Sequence, residues 1–258
     1  MTGSQFRTVD LTGSRFEDVD LSGSLVRHSD LSRIRMRAVY LNDVRITDAE
    51  IVDVDISGDL GRLRVNGVDV GPLVEAELNR RHPDRALMRP DDPQGYRRAW
   101  EALERLWAGT VEKARALDPP LLHEQVDGEW SFVETLRHLV FATDCWVRRA
   151  LLGDPAPWDP LDLPWDEAPD TEGVPRDRSV RPSLDEVLAL RRDRMGTVRE
   201  VLGALTAERL AGDTVPVEGP GWPEPMSHKV SRCLRAVLNE EWEHRLYAER
   251  DLAVLAAR

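Results

Sequence analysis

Residues 131–152 read SFVETLRHLVFATDCWVRRALL, and this stretch decides the fold of the larger part of the chain. Ser131 and Glu134 are three residues apart, which is the spacing of a capping box, in which each side chain binds the backbone N–H of the other residue. The apolar residues that follow recur with helical spacing. The stretch therefore predicts a helix that begins at Ser131 and continues to about Leu152.

Three other segments predict long helices of the same kind. Residues 95–117 are followed by two prolines, which cannot continue a helix. Ser183 and Glu186 repeat the capping box and predict a helix over residues 183–205, and the last helix is expected from about residue 227 onward. Four amphipathic helices with one or two long connections predict a four-helix bundle. The apolar face of the helix over residues 95–117 contains Trp100, Leu103, Leu106 and Trp107.

Two connections in this part of the chain are unusually long. Residues 153–182, which we call the long connection, are rich in proline, tryptophan and aspartate. Connections of this length rarely lack a role, so we expect this one to pack across a surface of the bundle. Residues 212–226 form the other connection and contain the sequence Gly-Pro-Gly-Trp-Pro.

The first sixty residues follow a period of five. The residues between the apolar positions are mostly polar or charged, and a period of five fits neither a helix nor a flat strand. It predicts a coil that turns a corner every five residues and places one large side chain inside. The apolar positions are Phe6, Leu11, Phe16, Leu21, Val26, Leu31, Met36, Leu41, Ile46, Ile51 and Ile56.

The five-residue sequences VDLTG, VDLSG and SDLSR in this segment resemble the repeats of the pentapeptide-repeat family. That resemblance implies a short right-handed quadrilateral β-helix over residues 1–60. Together with the four-helix bundle over residues 91–258, it gives a multidomain β + α fold class. Residues 61–90 would join the two. Within them, Asn-Gly at residues 66–67 predicts a β-hairpin that closes the repeat stack, and residues 72–81 predict a short helix.

Composition limits the classes of function. The chain of 258 residues is 41% apolar and 32% charged, as is typical of a soluble globular protein, and its formal net charge is −12. An acidic chain lacks the basic surface that duplex nucleic acid requires. Some pentapeptide-repeat proteins mimic DNA, and that alternative stays open for the acidic repeats. Two cysteines, no signal sequence and no long apolar run predict a cytoplasmic protein with no membrane partner.

Two of the six histidines lie inside predicted long helices, His138 and His244. Glu240 precedes His244 by four residues, so both side chains project from one helix face and can bind one metal ion, with His138 as the third ligand. The competing interpretation is a surface ion pair, because Glu240 belongs to a charged run over residues 239–244. The other four are expected to be solvated or capping residues: His28, His82, His123 and His228.

Two motifs resemble the DinB-like four-helix family, whose relatives include the bacillithiol and mycothiol transferases. They are Gly-Glu-Trp-Ser leading into Leu-Arg-His-Leu at residues 128–139, and Asn-Glu-Glu-Trp-Glu-His at residues 239–244. The resemblance covers about residues 90–256 and implies that His138, Glu240 and His244 bind a divalent metal, without distinguishing zinc, nickel, manganese or iron. Many members have histidine where this chain has Glu240.

The same resemblance implies a low-molecular-weight thiol as co-substrate, which the metal holds as thiolate for attack on a small electrophile. We therefore expect a metal-dependent S-transferase of the mycothiol type. Metal-assisted hydrolysis and a non-catalytic scaffold that uses the repeat surface are the alternatives, and a homodimer stays open as the oligomeric state. Cys145 lies on the same helix face as His138 and is expected to be a buried core residue, as are Trp146, Trp242 and Tyr247.

Overall fold

The computed structural model describes residues 4–37, 39–58 and 60–258. The chain divides into two units, residues 1–58 and residues 59–258. Each unit has its own internal contacts.

The prediction of a β-helix over residues 1–60 is wrong. The described residues of this segment form no strand, and all of them are exposed. The apolar side chains that should fill an interior are among them, with Phe6 67%, Leu21 61% and Ile46 71% exposed. The predicted fold class, a quadrilateral β-helix followed by a bundle, therefore holds only for its helical part.

The period of five instead appears as a series of local turns. Residues with positive φ recur at five-residue spacing, for example Thr8, Gly13 and Asp18. Backbone hydrogen bonds close some of these turns over three residues, as from Ser14 N to Leu11 O, and aspartate side chains such as Asp10 accept from the backbone two residues on. A β-helix needs donors and acceptors that reach the next coil. In the described part of this segment the hydrogen bonds of these turns are local, so the periodic sequence does not produce a closed core.

The second unit opens with a hairpin and a short helix. Strand β1 (Arg64–Val65) pairs antiparallel with β2 (Val68–Asp69). Asn66 and Gly67 both have positive φ in the turn, as a type I′ turn requires, so the prediction of a hairpin here is confirmed. Helix α1 (Gly71–Arg81) follows and is succeeded by a 3₁₀ helix (Pro83–Met88).

Four long helices form the bundle. They are α2 (Pro93–Arg115), α3 (Phe132–Thr143), α4 (Leu184–Gly203) and α6 (Val230–Ala256), with the short α5 (Ala207–Ala211) between the last two. A 3₁₀ helix (Pro119–His123) precedes α3, and a π-helical turn (Asp144–Arg149) continues it. Both predicted capping boxes are present, Ser131 with Glu134 at α3 and Ser183 with Glu186 at α4.

The helices pack in a closed order in which α3 lies against α4 and α6, and α2 lies against the same two. Two groups of buried apolar side chains fill the interior, one centred on Trp100 and Leu234 and the other on Leu136 and Leu139. Among the described residues, no helix combines the length and the apolar composition needed to cross a membrane.

The long connection packs on α3 through aromatic side chains. Trp158 stacks on Phe141 of α3 with ring centroids 5.7 Å apart, and Trp165 lies 6.3 Å from the same ring. Trp165 also meets Trp222 of the 212–226 connection edge to face at 5.1 Å. The two connections thus meet beside the helix that carries His138.

A chain that begins at Leu60 should fold as the full-length protein does in its helical unit. Both groups of buried apolar side chains are built from residues at or beyond Met88, so removal of residues 1–59 leaves the core intact. We expect the same helical signal per mole by circular dichroism and a cooperative thermal transition only a few degrees lower. Aggregation of the shortened chain, or loss of cooperativity, would show that the two units share stabilising contacts.

Candidate metal centre

His138, Glu240 and His244 come together between two helices of the bundle. His138 projects from α3, and the other two residues lie one turn apart on α6. Glu240 Oε2 lies 3.3 Å from His138 Nε2 and 3.1 Å from His244 Nε2. One ligand atom from each residue can be chosen so that all three lie within 4.8 Å of one another. Ligand atoms that share one cation at bonds of ~2.0–2.2 Å are roughly 3.0–3.5 Å apart, so two of the three separations already fit.

The orientation of the His138 ring is fixed by the long connection. Its Nδ1 lies 3.0 Å from the carbonyl oxygen of Leu163. A carbonyl only accepts, so Nδ1 must carry the proton, and in the neutral ring Nε2 is then the atom with the free lone pair. That lone pair faces the Glu240 carboxylate. A neutral imidazole and a carboxylate in this arrangement repel each other unless a proton or a metal cation lies between them.

Glu240 supplies the negative charge of the group. Burial opposes its ionisation, yet the contacts with His138 and His244 outweigh burial and hold the pKa of Glu240 well below its usual range. The carboxylate is therefore ionised at neutral pH. One carboxylate with two imidazoles is a donor set that suits divalent transition metals and leaves further coordination positions open.

Trp130 covers the two imidazoles on one side. Its ring lies parallel to that of His244, at 7° and 5.6 Å between centroids, and 4.5 Å from the ring of His138. The indole N–H donates to Asp166 Oδ1 at 2.8 Å, and the Arg178 guanidinium lies 5.6 Å from the indole ring. Asp166 and Arg178 also form an ion pair, so two residues of the long connection hold Trp130 in place.

The structure separates the three glutamates of the charged run. Glu240 joins the cluster, whereas Glu241 is 1% exposed and accepts from Arg191 at 3.1 and 2.8 Å through both carboxylate oxygens. Glu243 is exposed. Glu240 is therefore more than one half of a pair with His244 on its own helix, because His138 of a second helix is also its partner.

The other histidines lie apart from the cluster. His28 is exposed and His123 is partly buried. His82 is partly buried with its ring edge-on to Trp242. His228 is 5% exposed and both ring nitrogens lack a protein partner, so the prediction of a solvated or capping residue is wrong there.

Cys145 and the predicted core aromatic residues have mixed outcomes. Cys145 is buried in the π-helical turn, and burial raises the pKa of its thiol well above the usual value. Trp242 belongs to the core and Trp146 packs against it. Tyr247 is 39% exposed and meets the His244 ring edge-on at 6.0 Å, so its prediction as a core residue is wrong.

Sequence reasoning missed the surroundings of the cluster. The sequence of the long connection does not show that the Leu163 carbonyl would reach His138, because a backbone acceptor has no residue type. Trp130 carries a usable signal: it directly precedes the helix N-cap and lies eight residues before the expected ligand His138, close enough to cover it.

The fold and the site together place the chain among helical-bundle proteins in which side chains of two facing helices can bind a metal ion. The family model described as the DinB superfamily matches residues 102–248, and the chain belongs to that superfamily. Members of it typically bind a divalent metal. No curated protein and no solved structure matches the chain. The comparisons do not support a pentapeptide-repeat module at the N-terminus.

Replacing Glu241 with glutamine should destabilise the fold strongly. The neutral amide would leave the buried Arg191 guanidinium without a counter-charge, and breaking a buried pair of this kind costs about 3–5 kcal/mol. Glu243→Gln on the same helix is the control, because exposed substitutions usually change stability by less than ~0.5 kcal/mol. Urea unfolding followed by circular dichroism measures both. Equal stability of the two variants would contradict the buried pair.

Proposed function

We propose that His138, Glu240 and His244 hold one divalent cation, and that the protein is a metal-dependent S-transferase that uses a small thiol. The observation that carries the first part is the His138 Nε2 lone pair, which faces the Glu240 carboxylate while Nδ1 is committed to Leu163. A cation between these atoms would satisfy both groups and the His244 ring as well.

The residues of this chain have separate tasks in the proposed site. His138 and His244 would present neutral nitrogen donors from two different helices, and Glu240 would supply the negative charge that favours a divalent ion. Trp130 lies against both imidazole rings and covers them on that side. When bound, a divalent cation lowers the pKa of a coordinated thiol, so that it is present as thiolate near neutral pH.

The source of the sulfur nucleophile is the second part of the proposal. Both cysteines of the chain are buried, and burial raises the pKa of both thiols, that of Cys233 to about 11. Neither is suited to attack a substrate, because the thiolate is the reactive form and it is disfavoured in both places. A nucleophilic thiol would then come from a small molecule, and its sulfur would bond to the electrophilic carbon as the leaving group departs.

A scaffold that uses a pentapeptide-repeat surface lacks its structural basis. The described residues of the first unit form no β-helix, so the surface on which that alternative depended is not present. The acidic repeats that would mimic a DNA duplex lose their regular framework for the same reason.

Replacing His138 or His244 with alanine should abolish stoichiometric metal binding. Each change removes one of three ligands, and we expect less than one tenth of the wild-type metal content by mass spectrometry of the dialysed protein. Added Zn²⁺ should raise the melting temperature of the wild type and leave that of both variants unchanged, because only a folded state with the site intact is stabilised by the ion.

His123→Ala is the matched control, since His123 lies outside the cluster in the 3₁₀ helix before α3. It should keep full metal content. Retention of bound metal by His138→Ala and His244→Ala would show that the ion is held elsewhere.

Catalysis should require an added thiol and a metal and should survive the loss of Cys145. We expect the Zn²⁺-loaded protein to accelerate the alkylation of mycothiol by monobromobimane, a fluorogenic alkyl bromide, above the uncatalysed rate. In this step a carbon–sulfur bond forms, the carbon–bromine bond breaks, and the thiol proton passes to solvent. Treatment with a chelator should remove the acceleration, and Cys145→Ala should retain it.

Cys233→Ala is the control for Cys145→Ala, because both thiols are buried to a similar extent. Loss of turnover in Cys145→Ala alone, with metal content intact, would indicate a protein nucleophile instead. Metal-dependent cleavage of an ester such as p-nitrophenyl acetate without any thiol would favour hydrolysis over S-transfer.

A further inference from the structure

The residue before His138 is an arginine whose side chain is completely buried. Arg137 has no exposed surface and lies in the middle of α3. Its Nε donates to the carbonyl of Leu161 at 2.8 Å, and its two terminal nitrogens donate to the carbonyls of Asp177 at 2.7 Å and Val180 at 3.2 Å. Arg137 therefore binds the long connection at two separate places, at Leu161 and near its C-terminal end, through backbone atoms.

One of these acceptors lies next to the contact that orients His138. Leu161 is two residues before Leu163, whose carbonyl lies 3.0 Å from His138 Nδ1. Two adjacent side chains of α3 thus bind two neighbouring carbonyls of the long connection. A shift of this stretch that broke one contact would also displace the other, because consecutive peptide groups have only two free dihedral angles per residue.

The stretch that carries both carbonyls is itself a closed turn. Asp159 Oδ1 accepts from Leu161 N at 2.9 Å, and Asp162 Oδ2 accepts from Asp159 N at 3.2 Å. The backbone N–H of Asp162 donates to the carbonyl of Asp159 at 2.8 Å. These local bonds close a compact turn over residues 159–162, which Leu163 directly follows. We call residues 159–163 the 159–163 turn, and the contact of Arg137 with Leu161 restrains Leu163 through this short stretch of backbone.

We propose that Arg137 is a positioning residue for the metal ligand His138. It holds the 159–163 turn against α3, and the Leu163 carbonyl of that turn then keeps the Nδ1–H of His138 engaged and its Nε2 directed at Glu240. The part of this inference that concerns the metal rests on the proposed function. The part that concerns the ring of His138 stands on the hydrogen bonds alone.

Arg149 offers a matched comparison, at the end of the π-helical turn that continues α3. It is 1% exposed and also donates to backbone carbonyls, those of Pro155, Val217 and Gly219, in the two long connections. Its acceptors lie outside the 159–163 turn. Replacing Arg149 therefore removes the same kind of buried contact without loosening the residues that orient His138.

The experiment compares Arg137→Lys with Arg149→Lys in the full-length protein. A lysine ammonium cannot reproduce the planar fork that reaches three separate carbonyls, so both variants should lose stability to a similar degree. Zn²⁺ titration calorimetry should show the affinity of Arg137→Lys reduced about 10–100-fold, which is typical when a group that orients a metal-binding histidine is removed. The affinity of Arg149→Lys should stay within about 2-fold of wild type.

A second measurement does not require the metal. In the metal-free protein, the His138 Nδ1 proton should exchange slowly with solvent and give a nitrogen–proton correlation signal, assigned by its loss in His138→Ala. The signal should persist in Arg149→Lys and disappear in Arg137→Lys. A general loss of stability would not distinguish the two variants in this way.

If the arginine variants do not fold, two less disruptive aspartate variants test the same proposal. Asp159→Ala removes one of the acceptors that close the 159–163 turn. Asp154→Ala removes the same kind of contact elsewhere in the connection, to Ala156 N at 3.1 Å, together with an ion pair to Arg148. Only Asp159→Ala should weaken Zn²⁺ binding and the His138 signal.

The outcomes separate the two proposals. Wild-type Zn²⁺ affinity and an intact His138 signal in Arg137→Lys, or in Asp159→Ala where the lysine variant does not fold, would overturn the positioning role. If the wild-type protein binds no Zn²⁺, the proposed function fails, and the His138 signal alone then decides whether Arg137 positions the ring.

Discussion

The central constraint in this bundle is that charged groups are buried between its helices and each needs a partner. Two acidic side chains meet this need with arginines of α4. Asp144 accepts from Arg194 at 2.8 and 2.9 Å, and Glu241 accepts from Arg191 through both oxygens. Each pair joins α4 to another part of the bundle, because a buried charge that lost its partner would cost several kcal/mol.

Glu240 meets the same need differently, with two imidazoles in place of a guanidinium. The difference matters chemically because arginine keeps its proton at any accessible pH, whereas an imidazole can exchange its proton for a metal ion. The described part of the chain brings together one group of three side chains that can bind a metal, and the Leu163 carbonyl fixes the direction of one of them, His138. The structural ion pairs and the candidate metal centre therefore have the same origin, because an acidic side chain between the helices needs a partner. They differ in whether that partner is arginine or histidine.

The connections between the helices complete the site as much as the helices do. The long connection has no helix or strand of its own, yet it provides the carbonyl that orients His138 and the two side chains that hold Trp130. Buried arginines secure it through backbone acceptors, which depend on the path of the chain and not on its sequence.

The sequence by itself determined the local elements of the helical unit: the capping boxes at Ser131 and Ser183 and the one-turn spacing of Glu240 and His244 depend on neighbours in the chain. For the same reason it misled in the first unit, where a regular period of five predicted a closed coil and the structure has local turns. Tertiary structure alone decided which glutamate of the run faces His138, and which carbonyl orients that ring. The register between α3 and α6 results from packing between residues 102 apart in sequence, and the contact of the long connection with His138 joins residues 25 apart. No local pattern in the sequence records either of them.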